Sequence, residues 1–286
     1  MKVTEGTFQG FQELTIFYRE FSPEKDPKGV VIIVHGLGDH SGGIRNLCEA
    51  LVENGYRSYV HDLRGHGKSP GTRGFIRDWE EYRNDLHAFC KLVTEINPDL
   101  PVYLIGHSIG GVIAVDYAIN NASKLGGLIT ISPAISYETS FMEKLLITVM
   151  GKLKSDYTID QGDDLAYLTK DENELQPLKN DTLRHSTVTP GLGKSLMKTL
   201  PRMMEQVKTI RIPFLLQFGL DDTITPPEIL RTFFEEVGSD EKEKYEYQSV
   251  KHRPFDDTDK ETFLQDMVSW LDEQTENIYR LEKGTT

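Results

Sequence analysis

Val102-Tyr103-Leu104-Ile105-Gly106-His107-Ser108-Ile109-Gly110-Gly111 joins three signals in one short run. Its first four residues are apolar or β-forming without polar alternation, the pattern of a strand buried on both faces in a parallel sheet. Gly106 to Gly110 match G-x-S-x-G, and Val112, Ile113, Val115, Ala118 and Ile119 follow at helical spacing. A serine among small residues between strand and helix belongs to a sharp turn that lifts its hydroxyl above the sheet.

Outward from this stretch the same format recurs. Residues 30–34 end at His35-Gly36, residues 128–131 at Ser132-Pro133, and residues 214–218, preceded by Pro213, at Gly219. Residues 14–21 and 245–250 read as further strands. Tyr82, Leu86, Phe89, Cys90, Val93 and Ile96 repeat with helical period up to Asn97-Pro98, and residues 263–271 read as a closing helix. Strands alternating with helices predict an α/β chain with a doubly wound, mostly parallel sheet. The alternation fails from Ser132 to Pro213, too far for an ordinary crossover. A helical cap inserted after the sixth strand is therefore expected at residues 134–210, leaving residues 1–133 and 211–286 as the core. Within the cap, Phe141, Met142, Leu145, Leu146, Val149, Met150 and Leu153 form a wide apolar stripe. Residues 192–207 carry a second, with Leu196, Met197, Leu200, Met203 and Met204, while residues 155–171 are acidic and weakly patterned.

Composition narrows the function. With 32 Lys+Arg against 45 Asp+Glu the net charge is −13, unsuited to displacing counterions from nucleic acid or to docking on anionic lipid. Cys48 and Cys90 lack metal or redox spacing and are expected to be buried thiols. Met1 to Glu5 carries no basic region leading into an apolar one, and no run of about 18 apolar residues follows. The expectation is a soluble, cytoplasmic chain.

Serine chemistry at neutral pH requires a base, and an acid to hold the base in the useful tautomer. In this fold both follow the serine in the chain, the acid first. Of the histidines after Ser108, His252 stands just past a strand, whereas His185 lies inside the insertion. His252 is therefore the expected base. Asp222 in Gly219-Leu220-Asp221-Asp222 is the expected acid, with Asp221 as the alternative. The amides of Ile109, next after the nucleophile, and Leu37, in the loop His35-Gly36-Leu37-Gly38, suit an oxyanion hole. His35 reads as a histidine that hydrogen-bonds its loop. His61-Asp62-Leu63-Arg64-Gly65-His66-Gly67 reads as a structural turn rather than a metal site.

Taken together, His35-Gly36-Leu37-Gly38-Asp39-His40-Ser41-Gly42, Asp62-Leu63-Arg64-Gly65-His66-Gly67-Lys68-Ser69 and Gly106-His107-Ser108-Ile109-Gly110-Gly111 resemble the monoacylglycerol lipase and lysophospholipase branch of the α/β-hydrolases. The resemblance runs from about Leu14 to Leu271. It implies a serine hydrolase with a cap, with Ser108 as nucleophile, Asp222 and His252 completing a triad, and the Leu37 and Ile109 amides as oxyanion donors. It implies no metal and no cofactor. The expected substrate is a small lipid or ester, most simply a monoacylglycerol, with Phe141, Leu145, Met197 and Met203 lining an acyl tunnel or touching a lipid surface. Rival readings are a carboxylesterase for short or aromatic esters, a lysophospholipase, and a ligand-binding protein with a vestigial triad. This chain departs from the family at Asp39, where Glu is usual, at Gly43-Ile44, where Arg-Tyr is usual, and at Arg253, where Glu is common.

Overall fold

A computed structural model describes residues 1–136, 141–162 and 164–284. In chain order the elements are β1 (Lys2–Gln9), β2 (Thr15–Ser22), β3 (Gly29–Val34), α1 (Arg45–Glu53), β4 (Tyr56–His61), α2 (Glu80–Ile96), β5 (Val102–His107), α3 (Ile109–Asn121) and β6 (Gly127–Ile131). The insertion then contributes α4 (Phe141–Leu153), β7 (Ile159–Asp160), α5 (Glu172–Asn180), β8 (Thr187–Val188) and α6 (Pro190–Gln206). The chain returns to the sheet with β9 (Phe214–Gly219), α7 (Pro227–Glu236), β10 (Lys242–Tyr247) and α8 (Lys260–Gly284).

Eight strands form one sheet in the order β1-β2-β4-β3-β5-β6-β9-β10. β1, β2 and β4 pair antiparallel, and every pairing from β4 to β10 is parallel. The doubly wound reading holds, and the insertion does follow the sixth strand. β6 and β9 pair directly, Leu128 opposite Phe214, although the whole insertion separates them in sequence. Two strands of this sheet, β1 and β4, do not stand out in the sequence, and neither does the short β7–β8 pair of the insertion. β1 alternates exposed and half-buried residues at the sheet edge, and β4 carries Arg57 and Ser58 inside the sheet. Their polar content hides them because the partners that tolerate it, such as Asn97 for Arg57 at 2.8 Å, are distant in the chain.

The pleat distributes β3 between two cores. Val30, Ile32 and Val34 pack with α2, α3, α6 and α7, and Val31 and Ile33 with α1 and α8. Cys48 and Cys90 are free and buried, one in each layer, and burial pushes both thiols up to about 12. From β3 the chain winds to β4 on one side and to β5 on the other. The crevice at the carboxyl ends of β3 and β5 is therefore the switch point at which open α/β sheets bind ligands. Among the described residues no helix is long and apolar enough to cross a membrane.

Candidate active site

Ser108 sits at the β5–α3 junction with φ 55° and ψ −122°, a conformation that non-glycine residues adopt only when their surroundings enforce it. Close packing does so here. A methyl group on Gly106 would run into the Gly110 carbonyl, and one on Gly110 into the carbonyls of Val34 and His35. The Ser108 N–H donates to Ile131 O (3.0 Å), and its carbonyl accepts from Gly111 (2.9 Å) and Ala134 (3.0 Å). The turn is thus held by β6 as well as by its own helix.

Two loops from further along the sheet complete a chain of side chains. His252 Nε2 lies 2.9 Å from Ser108 Oγ, and its Nδ1 lies 2.8 Å from Asp222 Oδ2. All three residues are buried. Because Asp222 accepts at Nδ1, the proton resides there and Nε2 is left to accept from the serine hydroxyl. Asp222 also accepts from the Ile224 amide (2.8 Å), the Thr225 amide (3.0 Å) and the Thr225 hydroxyl (2.6 Å). Burial alone would raise its carboxyl, but His252 and the Thr225 donors outweigh it and bring it down to about 2. The charge that orients the imidazole therefore persists across the neutral and mildly acidic range. Asp221 points the other way, half-exposed and paired with Lys170. Its amide instead donates to Val250 O (2.9 Å), so the two neighbouring aspartates divide backbone anchoring from imidazole contact.

His252 follows β10 through a turn in which Ser249 has φ 58°, so the strand ends at Tyr247 rather than near residue 250. The His252 carbonyl accepts from His107 Nε2 (2.9 Å), which ties the imidazole loop to the residue before the serine. His185 stands apart from this chain. Its ring packs 4.6 Å from His66, its Nδ1 accepts the Thr187 amide (3.2 Å), and burial and Arg73 push it down to about 4.

Leu37 and Ile109 line a cavity together with Ser108. Among the described residues neither amide donates to a backbone carbonyl, and Ile109 opens α3, ahead of that helix's hydrogen-bond ladder. His35 serves its loop, as its setting suggested: Nδ1–H donates to Gly36 O (2.8 Å) and Nε2 accepts the Leu63 amide (3.0 Å). Asp62 accepts the Ser41 amide (2.6 Å) and the Lys68 amide (2.7 Å), so that motif fastens one loop to another. Among the described residues no group of three or more His, Cys, Asp or Glu side chains is placed to hold a metal.

Two cavities meet at Ser108. One, of about 630 Å³, is walled mostly by apolar side chains of the insertion, among them Ile147, Met150, Leu192 and Leu196. The other, of about 380 Å³, has a mixed wall in which Asp39, Asp181, Arg184, His185 and Arg253 stand among apolar side chains such as Leu165 and Leu178. Leu37, Ser108, Gln161 and Ile224 belong to both walls. Two of the expected lining residues fall elsewhere. Met203 is 1% exposed and packs in the core layer beneath the insertion, and Met197 is half-buried but lines neither cavity. The cause is the placement of α6. Thr189 caps it, accepting the Leu192 amide (3.2 Å), and Pro190 is its first residue. This presents Leu192, Gly193 and Leu196 to the cavity, while the stripe continues through Leu200 and Met203 onto the core. The side chains of Phe141 and Leu145 lie outside the described residues. Conversely, Tyr157, Ile159 and Gln161, from the acidic stretch without clear periodicity, line the apolar cavity.

Asp39, also unassigned by the sequence, is 1% exposed and contacts Arg253. Arg184 Nη1 lies 2.8 Å from its other oxygen, an ion-pair contact whose angles do not make a hydrogen bond. Burial would raise the Asp39 carboxyl, but the two guanidiniums override it and hold it well below the usual range. Arg253 also donates to the Gly43 carbonyl (2.6 Å), so the positions at which the chain departs from its resembled family adjoin one another.

The sequence pattern of the family described as serine aminopeptidase, S33, matches residues 25–259. A monoacylglycerol lipase of Mycolicibacterium smegmatis is 26% identical over 271 residues, covering 94% of this chain and 96% of that protein. Among solved structures, the monoacylglycerol lipase of Paleococcus ferrophilus superposes with a TM-score of 0.80 at 30% identity, covering 96% of this chain and 100% of the other. A soluble variant of the Saccharomyces cerevisiae monoglyceride lipase, in complex with a substrate analog, gives a TM-score of 0.84 at 25% identity, covering 94% of each chain.

Proposed function

From its place in the serine aminopeptidase S33 family, to which this chain belongs, we propose that it is a carboxylic ester hydrolase that cleaves monoacylglycerol to fatty acid and glycerol through an acyl-enzyme on Ser108. The observation that carries the substrate class is the position of the serine hydroxyl where an apolar cavity of about 630 Å³ meets a smaller one whose wall brings charged side chains in among apolar ones. A monoacylglycerol has the same two-sided character about its ester carbon, with a long hydrocarbon on one side and a small polyol on the other.

In the proposed mechanism His252 Nε2 takes the hydroxyl proton as Ser108 Oγ attacks the ester carbonyl. Asp222 stabilises the imidazolium so formed. The Leu37 and Ile109 amides receive the negative charge on the carbonyl oxygen, and each such donor is worth about 3 kcal/mol of barrier. The imidazolium returns its proton to the departing alcohol, and a water activated by His252 then releases the fatty acid. These steps use side chains and amides of this chain alone.

The exposed Leu146, Val149, Leu153, Tyr157 and Ile159 form an apolar rim on the insertion, fit for transient contact with a micelle or membrane face. With a net charge of −13 that contact is hydrophobic rather than electrostatic, and nucleic acid is not a partner. The free thiols Cys48 and Cys90 agree with a cytoplasmic location. Covalent labelling by a fluorophosphonate tests the assignment: the wild type should label and Ser108→Ala should not. A wild type that fails to label would favour a binding protein over an enzyme. Rates on an acyl series from two to eighteen carbons should peak at long chains, and a peak at acetate would instead make the chain a short-ester esterase.

A further inference from the structure

The His252 loop follows β10 and the Leu37 loop follows β3. β5, β6 and β9 lie between those strands, so no backbone ladder sets the distance from imidazole to amide. One side-chain link does. Arg253, the residue after His252, is 1% exposed and uses its whole guanidinium: Nε donates to Asp256 Oδ2 (2.8 Å), Nη2 to Gly43 O (2.6 Å) and Nη1 to Asp39 Oδ2. Its amide donates to Leu168 O (2.9 Å). Asp39 is the last residue of a turn that it closes by donating its N–H to Gly36 O (3.2 Å), with Leu37 and Gly38 at the centre. The entry of that turn is held by His35 and its exit by Asp39, whose other oxygen accepts the His40 amide (2.9 Å).

We propose that Arg253 and Asp39 are positioning residues that hold the Leu37 amide in register with His252 Nε2 and thereby set the rate of acyl transfer. This inference rests on the hydrolase assignment above, with the Leu37 amide as an oxyanion donor. A donor stabilises the developing charge only when aimed at the oxygen's final position, and displacements on the order of 1 Å cost about a hundredfold in rate. Arginine suits the task because its planar fork engages two carboxylates and a carbonyl at once and keeps its charge when buried. Stability alone does not account for the pair, since a buried ion pair often contributes no more than apolar residues of the same volume.

The test uses the full chain with two variants that preserve packing, Asp39→Asn and Arg253→Lys, each checked for wild-type circular dichroism. Turnover of a p-nitrophenyl ester is measured beside inhibition by a trifluoromethyl ketone, which binds as an oxyanion. Both variants should lose about ten- to a hundredfold in kcat. KM should stay within about threefold, and affinity for the ketone should fall in step with kcat. A purely structural role would leave the ketone affinity tracking KM. Either folded variant with kcat within about twofold of wild type, or with its loss confined to KM, overturns the proposal. Should both variants fail to fold, a crystal structure of the wild type with the ketone decides: an oxyanion beyond about 3.5 Å from the Leu37 amide overturns it, and one within hydrogen-bond reach supports it. A wild type that neither turns over ester nor labels at Ser108 sinks the hydrolase assignment itself, whereas an active wild type matched by its variants sinks this inference alone.

Discussion

The carboxyl edge of the sheet and the insertion above it meet the serine with opposite styles of construction. At the sheet edge the functional residues are held by several directional contacts: Asp222 accepts four hydrogen bonds, His252 is gripped at both ring nitrogens and its carbonyl, and the serine turn is locked by glycine contacts. In the insertion the cavity wall is made of Ile147, Met150, Leu192 and Leu196, held by non-directional apolar contact, and several neighbours face outward. Directional bonds fix positions to tenths of an ångström, and apolar contacts fix only volume. The edge is therefore built to perform one reaction and the insertion to choose among substrates.

That division can be broken by experiment, beginning with the largest effect. His252→Gln should lower kcat by about 10⁴-fold or more without loss of secondary structure. Retention of a tenth of wild-type turnover would show that the edge does not carry the chemistry. Asp222→Asn should cost about 10³- to 10⁴-fold, because an amide cannot stabilise the imidazolium or enforce its tautomer. Its neighbour provides the control: Asp221→Asn should change kcat by less than about threefold, and a reversal of the two would move the acid to Asp221. On the insertion side, Ile147→Trp should reduce kcat/KM for long-chain esters by about ten- to a hundredfold and spare a butyrate ester. Equal losses on both substrates would show that the apolar cavity does not hold the acyl chain.

The smallest effect is on stability. Asp222 and Asp39 have carboxyls depressed in the folded state, Asp222 to about 2, from an ordinary unfolded value near 4. Such groups stabilise the fold above the unfolded value and lose that contribution as pH falls through the folded one. Burial pushes His61 down to about 3 and His185 down to about 4, so both stay neutral in the fold while they protonate in the unfolded chain. The urea midpoint should therefore fall once the pH drops below about 6.5, and fall further below about pH 4, where Asp222 contributes about 2 kcal/mol to the change. Asp39→Asn should make the drop shallower, and an unchanged slope would mean that the Arg253 contact does not depress that carboxyl.

Legibility in the sequence followed the same boundary. β3 and residues 102–105 of β5 run without polar alternation because both faces are covered, so local composition reveals them. The serine turn is equally local, since its glycines and hydroxyl lie within one short run. β4 and α5 were not legible, because Arg57 and the short, polar Glu172–Asn180 helix are stabilised by remote partners, Asn97 for the one and Lys260 holding Glu174 for the other. The sequence sets Asp221 and Asp222 side by side in one turn, and the physical distinction between them is the direction of two side chains.

By itself the sequence determined the parallel sheet, the serine turn at the end of a strand and the existence of an insertion, because hydrophobic period, glycine placement and chain order are properties of neighbours along the backbone. Only the tertiary structure decided which α6 residues face the cavity, where Met203 is buried, and that Asp39 and Arg253 join two loops from non-adjacent strands. Those are properties of atoms brought together by folding, and the distance between them in the chain carries no trace of it.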